Sequence, residues 1–273
     1  MVIKKISLRA DDPDITLTAY VNDIKNAVPT KARDTMFIIP GGGYFNVCAD
    51  REGEMIALAY LAKGYNAFVL NYSVKDKARF PRSLCDASLG VSYVREHAEE
   101  YGVNPDRIFA VGFSAGGHLA GSLGLMWDLP EIYETTGIAF GSNRPNGIIL
   151  GYPVVSGKRW VSHPASFQRL HGKTDVSDEE LELYSLENHV NPETASPLFV
   201  FHTSTDGTVP VSNALLLTLE YAKNKLPFEL HVFPKGPHGF ALANEATWCG
   251  HNTQVIPEAA SWVDLSHRWI QSL

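Results

Sequence analysis

The sequence predicts an α/β fold built on a mostly parallel central sheet with helices on both faces. Three observations carry that expectation. Short continuous apolar runs recur along the chain, stretches with helical spacing separate most of them, and residues 2–9 and 15–21 alternate apolar and polar. Continuous apolar runs suit strands covered on both faces. Strands alternating with helices imply parallel pairing through right-handed crossovers.

Taken in order, residues 2–9 and 15–21 read as an N-terminal antiparallel strand pair, joined by a turn at Asp11-Asp12-Pro13-Asp14. Buried strands are expected at 36–39, 67–70, 108–111, 148–150, 198–201 and 228–233. Between them, 52–63 carries Met55, Ile56, Leu58, Ala59 and Leu61 at helical spacing. A second helix over 82–101 carries Leu84, Ala87, Val91, Val94 and Ala98, and Gly102 followed by Pro105 stops it. Leu119, Leu123 and Leu125 mark a helix after Ser114, and later helices fall near 211–224 and 257–272. The interval 153–196 breaks this rhythm, with Trp160, Phe167, Leu170 and a capping-box pattern at Ser177-Asp178-Glu179-Glu180. With no repeat, low-complexity tract or flexible linker, the expectation is a single domain over 1–273 with an insertion at about 153–196 near the active site.

Bulk properties exclude several classes. With 45% apolar and 19% charged residues the composition is that of an ordinary soluble globular protein. A net charge of −7, without any Lys/Arg cluster in sequence, argues against nucleic acid as a partner. Lys4, Lys5 and Arg9 interrupt the region where a signal peptide needs an apolar stretch, and no run is long enough to span a bilayer. Cys48, Cys85 and Cys249 are odd in number and widely spaced, so free thiols in a cytoplasmic setting are expected.

The most informative stretch is 108–120, an apolar run that meets Gly112-Phe113-Ser114-Ala115-Gly116 and passes at once into a helix. A serine hydroxyl becomes a useful nucleophile when the backbone thrusts it out beside a base. A strand-to-helix reversal does this but crowds the positions two before and two after the serine, where glycine relieves the crowding.

Such a serine needs a base, a group that orients the base, and donors for an oxyanion. Loops following the strands near 198–201 and 228–233 supply Asp206, in Asp206-Gly207-Thr208-Val209-Pro210, and His238, in Pro237-His238-Gly239. Alone, an Asp-Gly before proline is a turn and a histidine between proline and glycine is a surface loop residue. Their joint placement, in the order Ser, Asp, His, makes them the catalytic candidates with Ser114. After the first buried strand, Pro40-Gly41-Gly42-Gly43-Tyr44 brings bare backbone to one point, so Gly42, Gly43 and Ala115 are the oxyanion-donor candidates. That triple glycine also reads as a flexible loop or a phosphate cradle, but G-x-G-x-x-G and Gly-Lys-Ser/Thr are both absent.

His118 reads as a helix-packing or capping residue, and His202 as a buried strand residue. No His, Asp, Glu or Cys group has metal-ligand spacing, so neither a metal nor an organic cofactor is implied. Trp160, Phe167 and Tyr184 are candidates to line a cleft or merely to pack the insertion.

With these residues in view, the chain resembles the α/β-hydrolase fold, and within it the small bacterial acetyl esterase and lipase-like proteins related to hormone-sensitive lipase and acetylxylan esterases. The resemblance runs from Pro40-Gly41-Gly42-Gly43-Tyr44 to the last helix. It includes Arg51-Glu52-Gly53-Glu54, Asn71-Tyr72-Ser73-Val74, Asn104-Pro105-Asp106-Arg107, Asp206-Gly207-Thr208-Val209-Pro210 and His238-Gly239. It implies nucleophile Ser114, acid Asp206, base His238 and oxyanion donors Gly42, Gly43 and Ala115. It also implies a carboxylic ester hydrolase acting on short-chain or acetyl esters, acetylated sugars or xylo-oligosaccharides among them, as small-molecule substrates. One departure stands out, since Pro40 occupies the place of the histidine that opens the lipase-type glycine motif. The cap helices of the hormone-sensitive lipase group are also missing from the pattern, which leaves 153–196 and 241–256, with Trp248, to shape the pockets. Alternatives are a prolyl-oligopeptidase-like peptidase and a non-catalytic binding protein on the same scaffold. A homo-oligomer is left open.

Overall fold

The computed structural model describes residues 1–22, 32–250 and 254–273. Strands β1 (Val2–Ser7) and β2 (Thr16–Val21) form the expected antiparallel pair, with Val2 opposite Val21 and Ser7 opposite Thr16. Strand β3 (Arg33–Ile39) leads through a short π-turn into helix α1 (Met55–Ala62), and β4 (Asn66–Asn71) follows. Helices α2 (Arg82–Glu96) and α3 (Ala98–Tyr101) end at Gly102, whose φ of 62° is the left-handed stop that glycine accommodates. Then come β5 (Val103–Phe113), α4 (Ala115–Leu125), α5 (Pro130–Thr136) and β6 (Gly147–Gly151). The interval 153–196 carries α6 (Pro164–His171) and α7 (Asp178–Leu183). The chain closes with β7 (Leu198–Thr203), α8 (Ser212–Lys223), β8 (Phe228–Phe233), α9 (Pro257–Ala260) and α10 (Trp262–Ser272).

Among the described residues the eight strands form one sheet in the order β1-β2-β4-β3-β5-β6-β7-β8. Pairing is antiparallel from β1 to β4 and parallel from β4 to β8. The two-residue period of each central strand divides its side chains between two cores. Phe37, Ile39, Phe68, Leu70, Ala110, Ile148 and Leu150 face α2, α4 and α8, while Met36, Ile38, Val69, Val111, Ile149 and Phe201 face α1 and α10. Each buried Leu, Ile or Phe stabilises the fold by about 1.5–3 kcal/mol, so both faces are closed by strong apolar burial.

The strand expected at 228–233 is present but lies at the sheet edge. Phe228 and Val232 are 38% and 41% exposed, so it is not covered on both faces. Glu229 and His231 within it pair with each other at 2.6 Å instead of entering a core.

Because β3 to β8 are parallel, the loops after them emerge at one end of the sheet. Residues 153–196 are tied to α8 by its buried Asn213, whose Oδ1 accepts the Val155 and Ser156 N–H groups at 3.0 Å each. Its Nδ2 donates to the Val161 carbonyl at 2.9 Å. The predicted capping box at Ser177 and Glu180 is formed, with both reciprocal hydrogen bonds present.

Candidate active site

Ser114 links β5 to α4 with φ 55° and ψ −121°, a positive φ that a non-glycine residue holds only under constraint. The flanking glycines show where the constraint comes from. A Cβ on Gly112 would lie 2.1 Å from the Gly116 carbonyl oxygen, and one on Gly116 would lie 2.3 Å from the carbonyl oxygens of both Ile39 and Pro40. No side chain fits at either position.

The structure brings the three catalytic candidates together. Asp206, after β7, and His238, after β8, meet with His238 Nδ1 at 2.7 Å from Asp206 Oδ2. A carboxylate can only accept, so Nδ1 carries the proton and Nε2 is left as an acceptor. Ser114 Oγ lies 2.8 Å from that Nε2 and donates to it. Asp206 Oδ1 in turn accepts the Thr208 and Val209 N–H groups at 2.9 Å each. Burial works against ionisation of Asp206, but the His238 hydrogen bond and charge, with these two N–H donors, outweigh it and lower its pKa.

Gly42 and Gly43 stand at φ 130° and 64°, conformations that glycine reaches without strain. Among the described residues the N–H groups of Gly42, Gly43 and Ala115 have no acceptor, whereas that of Gly41 is held by Glu52 Oε2 at 2.8 Å. Thus the glycine loop has one N–H anchored and the next two free.

Glu52 and Tyr152 are the residues that sequence reasoning missed. Glu52 is buried beside the glycine loop, and its Oε1 accepts the Tyr152 hydroxyl at 2.7 Å. That hydroxyl accepts the Ala241 N–H at 3.0 Å, and the Tyr152 ring packs edge-on to His238 with centroids 5.1 Å apart. Burial raises the Glu52 pKa, against the lowering effect of the Tyr152 and Gly41 donors. Arg51 reaches over the same loop, donating to the carbonyls of Gly239 at 2.6 Å and Thr247 at 3.1 Å. The sequence signals are the position of Tyr152 directly after a buried strand and that of Glu52 inside Arg51-Glu52-Gly53-Glu54.

His118 is fully buried. Its Nε2 donates to the Tyr184 carbonyl at 2.7 Å, so its Nδ1 accepts the Tyr44 hydroxyl at 2.9 Å, tying α4 to the glycine loop and the insertion. Burial pushes its pKa down to about 4. His202 is also buried, and its Nδ1 accepts the Thr203 N–H at 2.9 Å. Phe167 does not line a cleft. It is fully buried, with its ring against His118 at 5.8 Å, while Trp160 and Trp248 are 68% and 47% exposed. Among the described residues no three His, Cys, Asp or Glu side chains form a group that could hold a metal ion, and no helix is long and apolar enough to cross a membrane.

A mostly parallel eight-stranded sheet, opened by an antiparallel pair and carrying a serine on the reversal between a central strand and its helix, is the α/β-hydrolase fold. Within it the chain belongs to the BD-FAE family, which it matches over residues 23–221. It is 38% identical over 246 residues to endo-1,4-beta-xylanase B of Butyrivibrio fibrisolvens, covering 87% of this chain and 36% of that protein. It is 30% identical over 227 residues to an acetylxylan esterase of Xylanibacter ruminicola, covering 82% of this chain and 44% of that one. The chain therefore spans less than half the length of either relative. Among solved structures, a carboxylesterase of Lactobacillus plantarum WCFS1 superimposes with a TM-score of 0.85 at 30% identity, covering 100% of this chain and 98% of that chain.

Proposed function

We propose that the protein is a carboxylic ester hydrolase that forms an acyl-serine intermediate on Ser114. Its substrates are acetyl and other short-chain esters, with acetylated sugars and xylo-oligosaccharides as the biological class. The observation that carries the reading is the hydrogen-bonded line from Ser114 Oγ through His238 to Asp206, at 2.8 Å and 2.7 Å. The names of the relatives support the sugar-acetate class, since one is an acetylxylan esterase.

In this mechanism His238 Nε2 takes the Ser114 proton as Oγ bonds to the ester carbon. The carbonyl becomes an oxyanion facing the free N–H groups of Gly42, Gly43 and Ala115, donors of this kind being worth about 3 kcal/mol each. Collapse expels the alcohol, which takes the proton from His238. Water then attacks the acyl-serine, with His238 as base, and the acid leaves as Ser114 regains its proton. Asp206 holds the imidazole tautomer and stabilises the imidazolium. The whole chain acts as one catalytic domain in which 153–196 borders the cleft. Its three unpaired cysteines support a reducing, cytoplasmic setting.

Turnover of p-nitrophenyl acetate, compared with an aminoacyl-proline p-nitroanilide and with acetate release from acetylated xylo-oligosaccharides, tests the reading. Ester turnover far ahead of amide turnover is expected. Fast amide cleavage with no ester preference overturns it in favour of a peptidase.

A further inference from the structure

A cleft of about 620 Å³ opens at the same end of the sheet as Ser114, between the loop after β4 and helix α6, with Phe45, Lys75, Arg79, Arg169 and Lys173 in its lining. In a chain of net charge −7, four cations here face a single lining acid, Asp76. Lys173 is paired with Glu180 at 2.6 Å, but among the described residues Lys75, Arg79 and Arg169 form no ion pair. Instead, Arg169 and Lys75 lie over the Phe45 ring at 5.0 Å and 5.5 Å, and that ring is 53% exposed. Arg79 rests on Gly172, where an added Cβ would lie 2.4 Å from its Nε. These guanidinium groups are held in place with donors to spare.

The cleft shares a wall with the candidate oxyanion loop. Arg169 Nη1 donates to the Gly43 carbonyl at 3.0 Å, and the Lys75 N–H donates to the Tyr44 carbonyl at 2.8 Å. A Cβ built on Gly43 would lie 3.9 Å from Arg169 Nη1, so the cationic cleft begins beside the candidate oxyanion donors. Cations grouped in a concave site focus the field on an incoming anion. A guanidinium fork recognises a carboxylate by paired hydrogen bonds, and the volume suits a group the size of a sugar ring.

We propose that this cleft is a subsite for a carboxylate carried by the ester substrate, so that the enzyme selects esters of acidic sugars over neutral ones. The inference rests on the ester-hydrolase reading of Ser114, and the experiment separates the two. The probes are an acetylated disaccharide containing one glucuronic acid and the same compound with that carboxyl converted to its amide, which differ by one charge. On the wild-type enzyme, kcat/KM for acetate release should favour the acid roughly tenfold, the scale of one charge-assisted contact. The preference should shrink in about 0.5 M salt, and should fall to near unity in the Lys75→Gln/Arg79→Gln double variant. Calorimetric binding of both compounds to the Ser114→Ala protein reads the subsite without turnover, and the acid should bind more tightly there as well. Equal kcat/KM and equal binding, or a preference untouched by both salt and the double substitution, overturn the proposal. If neither compound nor p-nitrophenyl acetate is hydrolysed, the ester-hydrolase reading fails, and the calorimetric comparison still decides the subsite.

Discussion

The Tyr152 hydroxyl donates to Glu52 Oε1 at 2.7 Å, and through this pair the loop that presents Gly42 and Gly43 is joined to the loop that presents His238. One end of the link is the Gly41 N–H on Glu52, and the other is the Ala241 N–H on Tyr152 together with the ring packed on His238. The candidate base and the candidate oxyanion donors are thereby set relative to each other by two buried groups.

Tyr152→Phe keeps the ring and removes the hydroxyl, leaving the Ala241 N–H without its acceptor and a Glu52 oxygen without its donor. Stability should fall by about 1–3 kcal/mol. The kcat on p-nitrophenyl acetate should fall about tenfold, the scale of a small misplacement of reacting groups, with a smaller change in KM. Steady-state kinetics and urea unfolding measure both. Unchanged kcat in a destabilised protein would reduce Tyr152 to a structural residue.

Asp206→Asn should cost about 10⁴-fold in kcat. An amide can still accept the Thr208 and Val209 N–H groups at Oδ1, but its NH₂ would face His238 Nδ1. The imidazole would then carry its proton on Nε2, opposite Ser114, and could not accept one. A loss below tenfold in single-turnover assays would remove Asp206 from the mechanism.

The elbow makes a steric prediction. Gly116→Ala places a methyl 2.3 Å from two backbone carbonyl oxygens, whereas an added Cβ on Gly207 meets nothing within 4 Å. The first substitution should destabilise by about 3 kcal/mol or more, and the second should change stability by less than about 0.5 kcal/mol. Denaturant unfolding of the two proteins makes the comparison, and equal stabilities would refute the packing argument.

Buried histidines set a pH dependence of stability. Burial lowers the pKa of both His118 and His202 from 6.5 to about 4. Between those values the unfolded chain binds protons that the folded one refuses, so stability falls as pH drops below 6.5. The loss is up to about 3 kcal/mol per histidine when pH reaches 4. Urea unfolding at pH 7.0 and at pH 5.0 tests the window before most carboxylates titrate. His202→Gln should flatten the slope, and a slope already flat in the wild type would contradict the assignment.

Legibility in the sequence followed the range of the interactions. The reversal at Ser114 could be read because Gly112 and Gly116 relieve a local clash. Asp206 and His238 could be read because parallel strands deliver their following loops to one end. Glu52 and Tyr152 could not, since a glutamate ahead of a helix looks solvated and only the tertiary fold encloses it against the glycine loop. The cationic cleft was hidden for a similar reason, because only the fold brings Lys75 and Arg79, from the loop after β4, to Arg169 of α6 in an acidic chain. The strand at 228–233 carried its own correction in Glu229 and His231, which mark a half-exposed edge and not a doubly covered strand. Phe167 is ambiguous between cleft and packing in sequence because its partner, buried His118, lies far from it along the chain.

The central claim is that Ser114 becomes the acylated nucleophile through His238. Incubation with an organophosphonate ester, followed by peptide mass spectrometry, tests it most directly. One adduct per chain on Ser114 is expected, forming far more slowly in His238→Ala and absent in Ser114→Ala, in step with esterase activity. An unlabelled Ser114 in folded, active enzyme, or full turnover by Ser114→Ala, would contradict it.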